Sequence, residues 1–180
     1  MIQGVIAGGR RALTHATEAS EDSTALGRRD MEKRRLKRRD IVVALTASGR
    51  TPYAIGAVQY ARKLGAVTVA VTCNLGTPIS RVVDITIAPI TGAEVIAGST
   101  RMKAGTAQKM VLNMLTTTAM IRMGHVHGNF MVNVHLKNAK LVERGLTILQ
   151  KVLDINRTQA QRLLRRSGKN LKTAIRMHHG

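Results

Sequence analysis

Cysteine, aromatic and acidic residues are all scarce in this chain of 180 residues, and each scarcity removes a class of protein. One cysteine, Cys73, excludes an internal disulfide, and its place at the end of an apolar run reads as buried and inert. Tyr53, Tyr60 and Phe130 are the only Tyr, Phe or Trp side chains, too few for a platform on which bases stack. No apolar run is long enough to span a bilayer, and the N-terminal residues lack a basic segment followed by an apolar one. A cytoplasmic protein with no membrane contact is the expectation.

Ten acidic residues face 29 Lys and Arg, for a formal net charge of +19. Much of the excess lies in residues 28–39 and 157–176. Such a balance favours polyanions. The first run, however, reads as the solvated end of a helix and its link to the next strand. With so few rings, nucleic acid is not the expected partner. His125, His127 and His135 have neither a cysteine pair nor a carboxylate at zinc-ligand spacing, so no metal site is expected.

What the chain does have is alternation, and 44% hydrophobic content is enough for one core plus a small appendage. A strand end at Val5-Ile6-Ala7-Gly8-Gly9 precedes a helix over 11–26. Residues 41–45 and 67–72 read as strands joined by a helix over 53–64, the second strand being β-branched and apolar as if covered on both faces. A shorter strand over 84–89 ends at Pro89. Strands and helices alternating at this spacing predict right-handed βαβ units, hence an α/β fold with a partial doubly wound parallel sheet. A long helix over 100–123 follows. Its Ala107, Met110, Val111, Met114, Leu115, Thr118 and Ile121 fall at i, i+3, i+4 and i+7, a stripe read as core or dimer seam. No sheet partner is expected beyond Pro89. Helices over 136–153, from a cap at Asn156 or Thr158 to just before Gly168, and over 170–177 make a small helical C-terminal segment. The domains are therefore drawn at 1–135 and 136–180.

Two helix entries carry hydroxyl groups. Ile41-Val42-Val43-Ala44-Leu45 runs into Thr46-Ala47-Ser48-Gly49-Arg50-Thr51 before Pro52 opens a helix. Unpaired backbone N–H groups and the helix dipole attract an anion there, with hydroxyls of Thr46, Ser48 and Thr51 as further donors. Gly49 permits close backbone approach, and proline at the first helical turn forfeits no needed hydrogen bond. The loop has neither the lysine of a Walker loop nor the spacing of a dinucleotide fingerprint, so a sugar phosphate fits better than a nucleotide. The second entry, Gly92-Ala93-Glu94-Val95-Ile96-Ala97-Gly98-Ser99-Thr100-Arg101-Met102-Lys103-Ala104-Gly105-Thr106, offers Ser99 or Thr100 as cap. Arg101 and Lys103 can meet an anion, and Glu94 supplies a carboxylate close by.

That second run, continued through Ala107-Gln108-Lys109-Met110-Val111-Leu112-Asn113, resembles the signature of N-acetylmuramic acid 6-phosphate etherases and glucokinase regulatory proteins. These are sugar isomerase (SIS) domain proteins. The likeness extends in collinear order to Ala47-Ser48-Gly49-Arg50-Thr51-Pro52-Tyr53, Thr72-Cys73-Asn74, Gly128-Asn129-Phe130-Met131-Val132 and Lys172-Thr173-Ala174-Ile175. It implies a lyase that cleaves the lactyl ether of N-acetylmuramic acid 6-phosphate to N-acetylglucosamine 6-phosphate and D-lactate, without a metal or other cofactor. β-Elimination from the open-chain sugar needs a base for the C2 proton and an acid for the departing oxygen.

Glu18-Ala19-Ser20-Glu21-Asp22-Ser23 matches the family segment that carries one catalytic glutamate, which assigns the base to Glu21, with Glu94 in reserve. Thr46, Ser48, Gly49, Arg50, Thr51, Glu94, Ser99 and Thr100 are the implied substrate and phosphate ligands, and a homodimer is the implied assembly. Asn133 stands where the family commonly has Asp, Lys137 where it has Thr, and Leu75 where it often has Pro. The family's Gly/Ser-rich phosphate loop and its other glutamate have no counterpart here and would lie upstream of Met1. Family members also continue beyond Gly180. The alternative is a sugar-phosphate-binding SIS module without turnover; a nucleic-acid-associated SIS protein would carry a helix-turn-helix, and none is evident.

Overall fold

The computed structural model describes residues 2–15 and 17–179, and the chain divides into two compact units, Met1–Asn113 and Met114–Gly180. The division falls inside one long helix, ahead of the change of composition after residue 135. In the first unit, β1 (Ile41–Leu45), β2 (Val67–Val71) and β3 (Ile85–Ile87) form a parallel sheet in the order β1-β2-β3. Ile41 lies opposite Val67, and Val69 opposite Ile85. The central strand explains its own composition. Thr68, Val69, Ala70 and Val71 are buried, whereas Ile41 and Leu45 on one edge and Ile85 on the other are exposed. Buried Thr68 donates its N–H and its hydroxyl to Asp84 Oδ2 at 2.8 and 2.7 Å, which clasps β2 to the segment entering β3. These bonds hold the Asp84 carboxyl below its ordinary range, with a smaller contribution from Arg62.

Helix α2 (Pro52–Lys63) connects β1 to β2 and buries Ala54, Val58 and Ala61. Ala54 and Val58 pack with Ala44, Ala70, Ile79 and Val83 in a core of small side chains. On another side α2 meets α1 (Thr24–Lys33), whose first turn is capped by Ser23 Oγ accepting from Leu26 N–H at 3.2 Å. The two helices touch through glycine. A Cβ on Gly27 would overlap the Tyr53 carbonyl, and one on Gly56 would overlap the Thr24 backbone. Tyr53 then bridges the pair, its hydroxyl donating to Asp30 Oδ2 at 2.7 Å. Burial, and secondarily Asp30, push this hydroxyl above its usual range, so it remains a donor.

The helix expected over 11–26 is not formed, and Ala16 within it lies outside the described residues. In its place are short 3-10 turns at Gly9–Leu13 and Glu18–Ser20, with α1 starting only after Ser23. Ser and Thr side chains at 14, 17, 20, 23 and 24 compete for the backbone and favour caps over helix interior. Val5 to Gly9 is not a strand either, and Gly8 and Gly9 both have positive φ. The basic run of residues 28–39 is the end of α1 and its link to β1, as read from the sequence.

Helix α3 (Lys103–Arg122) lies within the expected 100–123, but of its apolar stripe only Val111 is buried. Only Ala104 and Val111 are buried, while Met110, Met114, Leu115 and Ile121 are 39–56% exposed. Apolar residues lie on several sides of this helix, and several of them are exposed. In the second unit Val126–His127 (β4) and Phe130–Met131 (β5) pair antiparallel around Gly128 and Asn129. This corrects the expectation of no strand after Pro89; two-residue strands are too short to show a period. Asn138 caps α4 (Ala139–Leu153), Asn156 caps α5 (Arg157–Arg166) through a reciprocal bond with Gln159, and α6 (Leu171–His179) closes the chain. Leu146, Leu149, Leu164, Leu171 and Ile175 form the core of this unit with Val132.

The glycine contact makes a prediction opposite in sign to helix propensity. Gly27→Ala should destabilise by about 1–3 kcal/mol because two backbones must separate. Gly105→Ala in α3, whose added Cβ meets only ordinary contact, should stabilise by roughly 0.5–1 kcal/mol. Urea unfolding of both variants measures the difference; stabilisation by Gly27→Ala would refute the packing argument.

Candidate functional site

The loop between β1 and α2 is ordered by its own hydroxyls. Buried Thr46 lies with its Oγ1 2.8 Å from Thr51 Oγ1 and accepts from Gly49 N–H at 3.2 Å, while Ser48 Oγ accepts from Arg50 N–H at 3.2 Å. Gly49 has φ 69°, and its α-carbon sits against Thr77, leaving no room for a side chain. Its carbonyl accepts from Ile79 N–H at 3.1 Å. The Ala47 carbonyl takes three donors: Cys73 N–H, Thr72 Oγ1 and Asn74 Nδ2, at 2.9, 3.2 and 2.9 Å. Several groups expected to face an anion are therefore already engaged. The Gly49 and Arg50 amides bond within the loop, and Tyr53 N–H donates to the Glu21 carbonyl at 2.9 Å. The loop still presents to solvent the exposed Ser48 hydroxyl, 3.5 Å from Thr46 Oγ1, and the exposed Arg50 side chain.

The bond from Tyr53 also fixes the backbone of Glu21 at the head of α2. Glu21 lies in the turn between Glu18–Ser20 and Ser23, off any helix, with an exposed side chain. It lines an open cleft of about 700 Å³ with Ala97, Gly98, Ser99, Thr100 and Arg101. The structure thus brings together three residues from two motifs, Glu21 with Ser99 and Thr100, and adds Arg101 as a cation at the rim. Thr100 also lines a neighbouring cavity of about 130 Å³ with Ala47, Cys73, Asn74, Thr91 and Glu94. Cys73 is buried there, and burial raises its thiol above the ordinary value.

Glu94 has a different task from the one its spacing suggested. Its Oε1 accepts from Ala104 N–H at 2.9 Å and its Oε2 from Lys103 N–H at 3.1 Å, so this carboxylate, and neither Ser99 nor Thr100, caps α3. Lys103 Nζ is bound to the Ala93 carbonyl at 2.7 Å and does not face the cleft as a free cation. Backbone bonds, first from Ala104 and then from Lys103, hold Glu94 below its ordinary value, which keeps it ionised at neutral pH and unsuited to donate a proton. An anion at the start of α3 would compete with a carboxylate already in place. The sequence pointed to neither Tyr53 nor Asn74 as a site residue. Their roles depend on which backbone groups they meet, although both fall inside motifs whose residues drew attention for other reasons.

A family model described as SIS domain matches residues 12–118. The chain is 47% identical over 178 residues to a protein named N-acetylmuramic acid 6-phosphate etherase 2 of Vibrio cholerae, covering 99% of this chain and 58% of that protein. Proteins named N-acetylmuramic acid 6-phosphate etherase from Photorhabdus laumondii and Yersinia pestis are 48% and 49% identical over 98% of this chain, which spans 58% and 60% of their lengths. The chain therefore spans about three fifths of the curated relatives it matches.

The depressed Glu94 titration has a sign that can be checked. A carboxylate with a lowered folded-state pKa contributes stability above its ordinary value of 4.5 and loses it as pH falls through the lower folded value. Glu94→Gln should lower the melting temperature most above about pH 5, and its gap from wild type should narrow as pH drops below about 4. Thermal melts across that range measure it; a gap that widens in acid would show that the cap is not anionic.

Proposed function

The chain belongs to the SIS-domain family, and on that premise we propose that it acts on N-acetylmuramic acid 6-phosphate, releasing D-lactate and N-acetylglucosamine 6-phosphate. In the open-chain sugar the C2 proton is acidified by the neighbouring aldehyde. The Glu21 carboxylate removes this proton, a double bond forms between C2 and C3, and the C3–oxygen bond to the lactyl group breaks. An acid protonates the departing oxygen, and water then adds across the double bond to restore the sugar. General base catalysis of this kind contributes roughly 10²–10⁴-fold.

One observation carries the assignment. Glu21 is anchored by its carbonyl to Tyr53 N–H at the head of α2, two residues beyond the Thr46 to Thr51 loop, and it lines the cleft with Ser99, Thr100 and Arg101. A phosphate held by Ser48 and Arg50, with Gly49 giving backbone access and Thr46 and Thr51 fixing the loop, would bring the sugar to Glu21. Ser99 and Thr100 are then hydroxyl partners for the sugar, and Glu94 keeps α3 in register behind them. The relatives' printed names support the same substrate. The proposed partner is a second copy of the chain, covering the exposed Met110, Met114, Leu115 and Ile121 of α3. A cytoplasmic location suits a phosphorylated amino-sugar substrate, and among the described residues no helix is long and apolar enough to cross a membrane.

Incubation with N-acetylmuramic acid 6-phosphate should release D-lactate, and Glu21→Gln should cut the rate about 10²–10⁴-fold while binding of the phosphosugar changes only a few-fold. Undiminished release from that variant would remove Glu21 from the mechanism. Binding without release by the wild-type chain would favour the alternative of a sugar-phosphate module. Light scattering should give twice the mass of one chain, and Met114→Glu should return it to the monomer; a wild-type monomer would count against the α3 seam.

A further inference from the structure

Residues 114–180 hold twelve Lys or Arg and only two acids, Glu143 and Asp154. Among the described residues, Glu143 pairs with Arg157 at 2.7 Å, and no other ion pair is found in this unit. On α5, Ala160, Leu163 and Leu164 face the core, while Arg162, Arg165 and Arg166 stay exposed; Lys169, just beyond the helix, continues the spacing i, i+3, i+4, i+7. Gly168 and Lys169, both at φ 63°, turn the chain into α6, where Asn170 Oδ1 accepts from Thr173 N–H at 2.9 Å. Helix α6 buries Leu171, Ala174 and Ile175 and exposes Lys172 and Arg176, one turn apart.

The helix dipoles explain the cations in the last turns of α5 and α6, namely Arg165, Arg166 and Arg176. They do not explain the other three, and like charges a helical turn apart repel one another unless an anion neutralises them. Four of the six are arginine, whose planar fork matches phosphate oxygens in pairs. The exposed side of α5 is polar throughout, with Thr158, Gln159 and Gln161 between the arginines, so it has nothing to insert into lipid.

We propose that this α5–α6 face binds the phosphate backbone of duplex nucleic acid through Arg162, Arg165, Arg166, Lys169, Lys172 and Arg176. The scarcity of aromatic rings speaks against stacking on single strands. It does not weigh against a duplex, where phosphate contacts with counterion release supply the sequence-independent affinity. The face lies apart from the cleft at Glu21 in the sequence, and its role does not depend on what that cleft turns over.

The test is fluorescence anisotropy of a labelled duplex DNA of about 24 base pairs, titrated with the full chain between roughly 50 and 200 mM KCl. Binding should weaken steeply with salt. The triple variant Arg162→Gln, Arg165→Gln, Arg166→Gln should bind at least tenfold more weakly, with a salt slope lower by about three. The charge-retaining triple Arg→Lys variant should recover most of the affinity, which separates lost contacts from lost folding. A control that removes as much charge elsewhere, Arg29→Gln, Lys33→Gln, Lys37→Gln, should change binding no more than about threefold. Equal weakening by the control would reduce the effect to net charge and overturn the proposal. So would no duplex binding at the lowest salt, or tighter binding to phosphatidylserine vesicles than to the duplex.

Discussion

Two glycines set the distance between α1 and α2, and the arrangement of the first unit follows from that distance. With hydrogen at Gly27 and Gly56, the Tyr53 carbonyl and the Thr24 backbone come into direct contact with the facing helix. Only at that separation does the Tyr53 hydroxyl reach Asp30, and its amide the Glu21 carbonyl. The segment that carries Glu21 has little else to hold it. It is made of 3-10 turns and caps, and Glu21 and Asp22 are exposed. Its position at the head of α2 is therefore borrowed from helix packing. An exposed carboxylate on a turn acquires a fixed place because the backbone behind it is pinned.

The two hydroxyl-rich helix entries divide the electrostatic work unequally. At α2 the amides of Gly49, Arg50 and Tyr53 are engaged by Thr46, Ser48 and Glu21, so the loop is ordered without a ligand and offers side-chain donors. At α3 the free amides of Lys103 and Ala104 are taken by the Glu94 carboxylate. Preorganisation of this kind reduces what binding must order, at the cost of fewer open backbone donors. It also places the carboxylate of this second entry, Glu94, outside acid chemistry and leaves Glu21 lining the cleft.

Much of the fold was legible. Ile41–Leu45 and Val67–Val71 declare themselves as β-branched runs, Pro52 marks the start of α2, and of the two candidate caps Asn156 and Thr158 the structure uses Asn156 for α5. The misreadings share a cause. The helix drawn over 11–26 followed composition, whereas hydroxyl side chains settled that stretch into turns, and the hairpin at Val126–His127 and Phe130–Met131 was too short to carry a period. The α3 stripe was periodic enough to predict a helix, but periodicity does not say what covers it. In the site, Glu21 came from motif resemblance, and Ser99 and Thr100 were read as caps because their spacing fits one.

By itself the sequence determined the order of strands and helices, the hydroxyl-rich loops, the scarcity of rings and cysteines, and the excess of positive charge. These are properties of neighbouring residues, and local sterics, hydrogen bonding and charge are written into the chain. The tertiary structure alone decided that Glu94 caps α3, that Tyr53 holds Glu21, and that Gly27 must remain glycine. Each of those depends on backbone groups 9 to 32 positions away in the chain coming within bonding or contact distance. A side chain's spacing cannot show which distant amide or carbonyl it will meet.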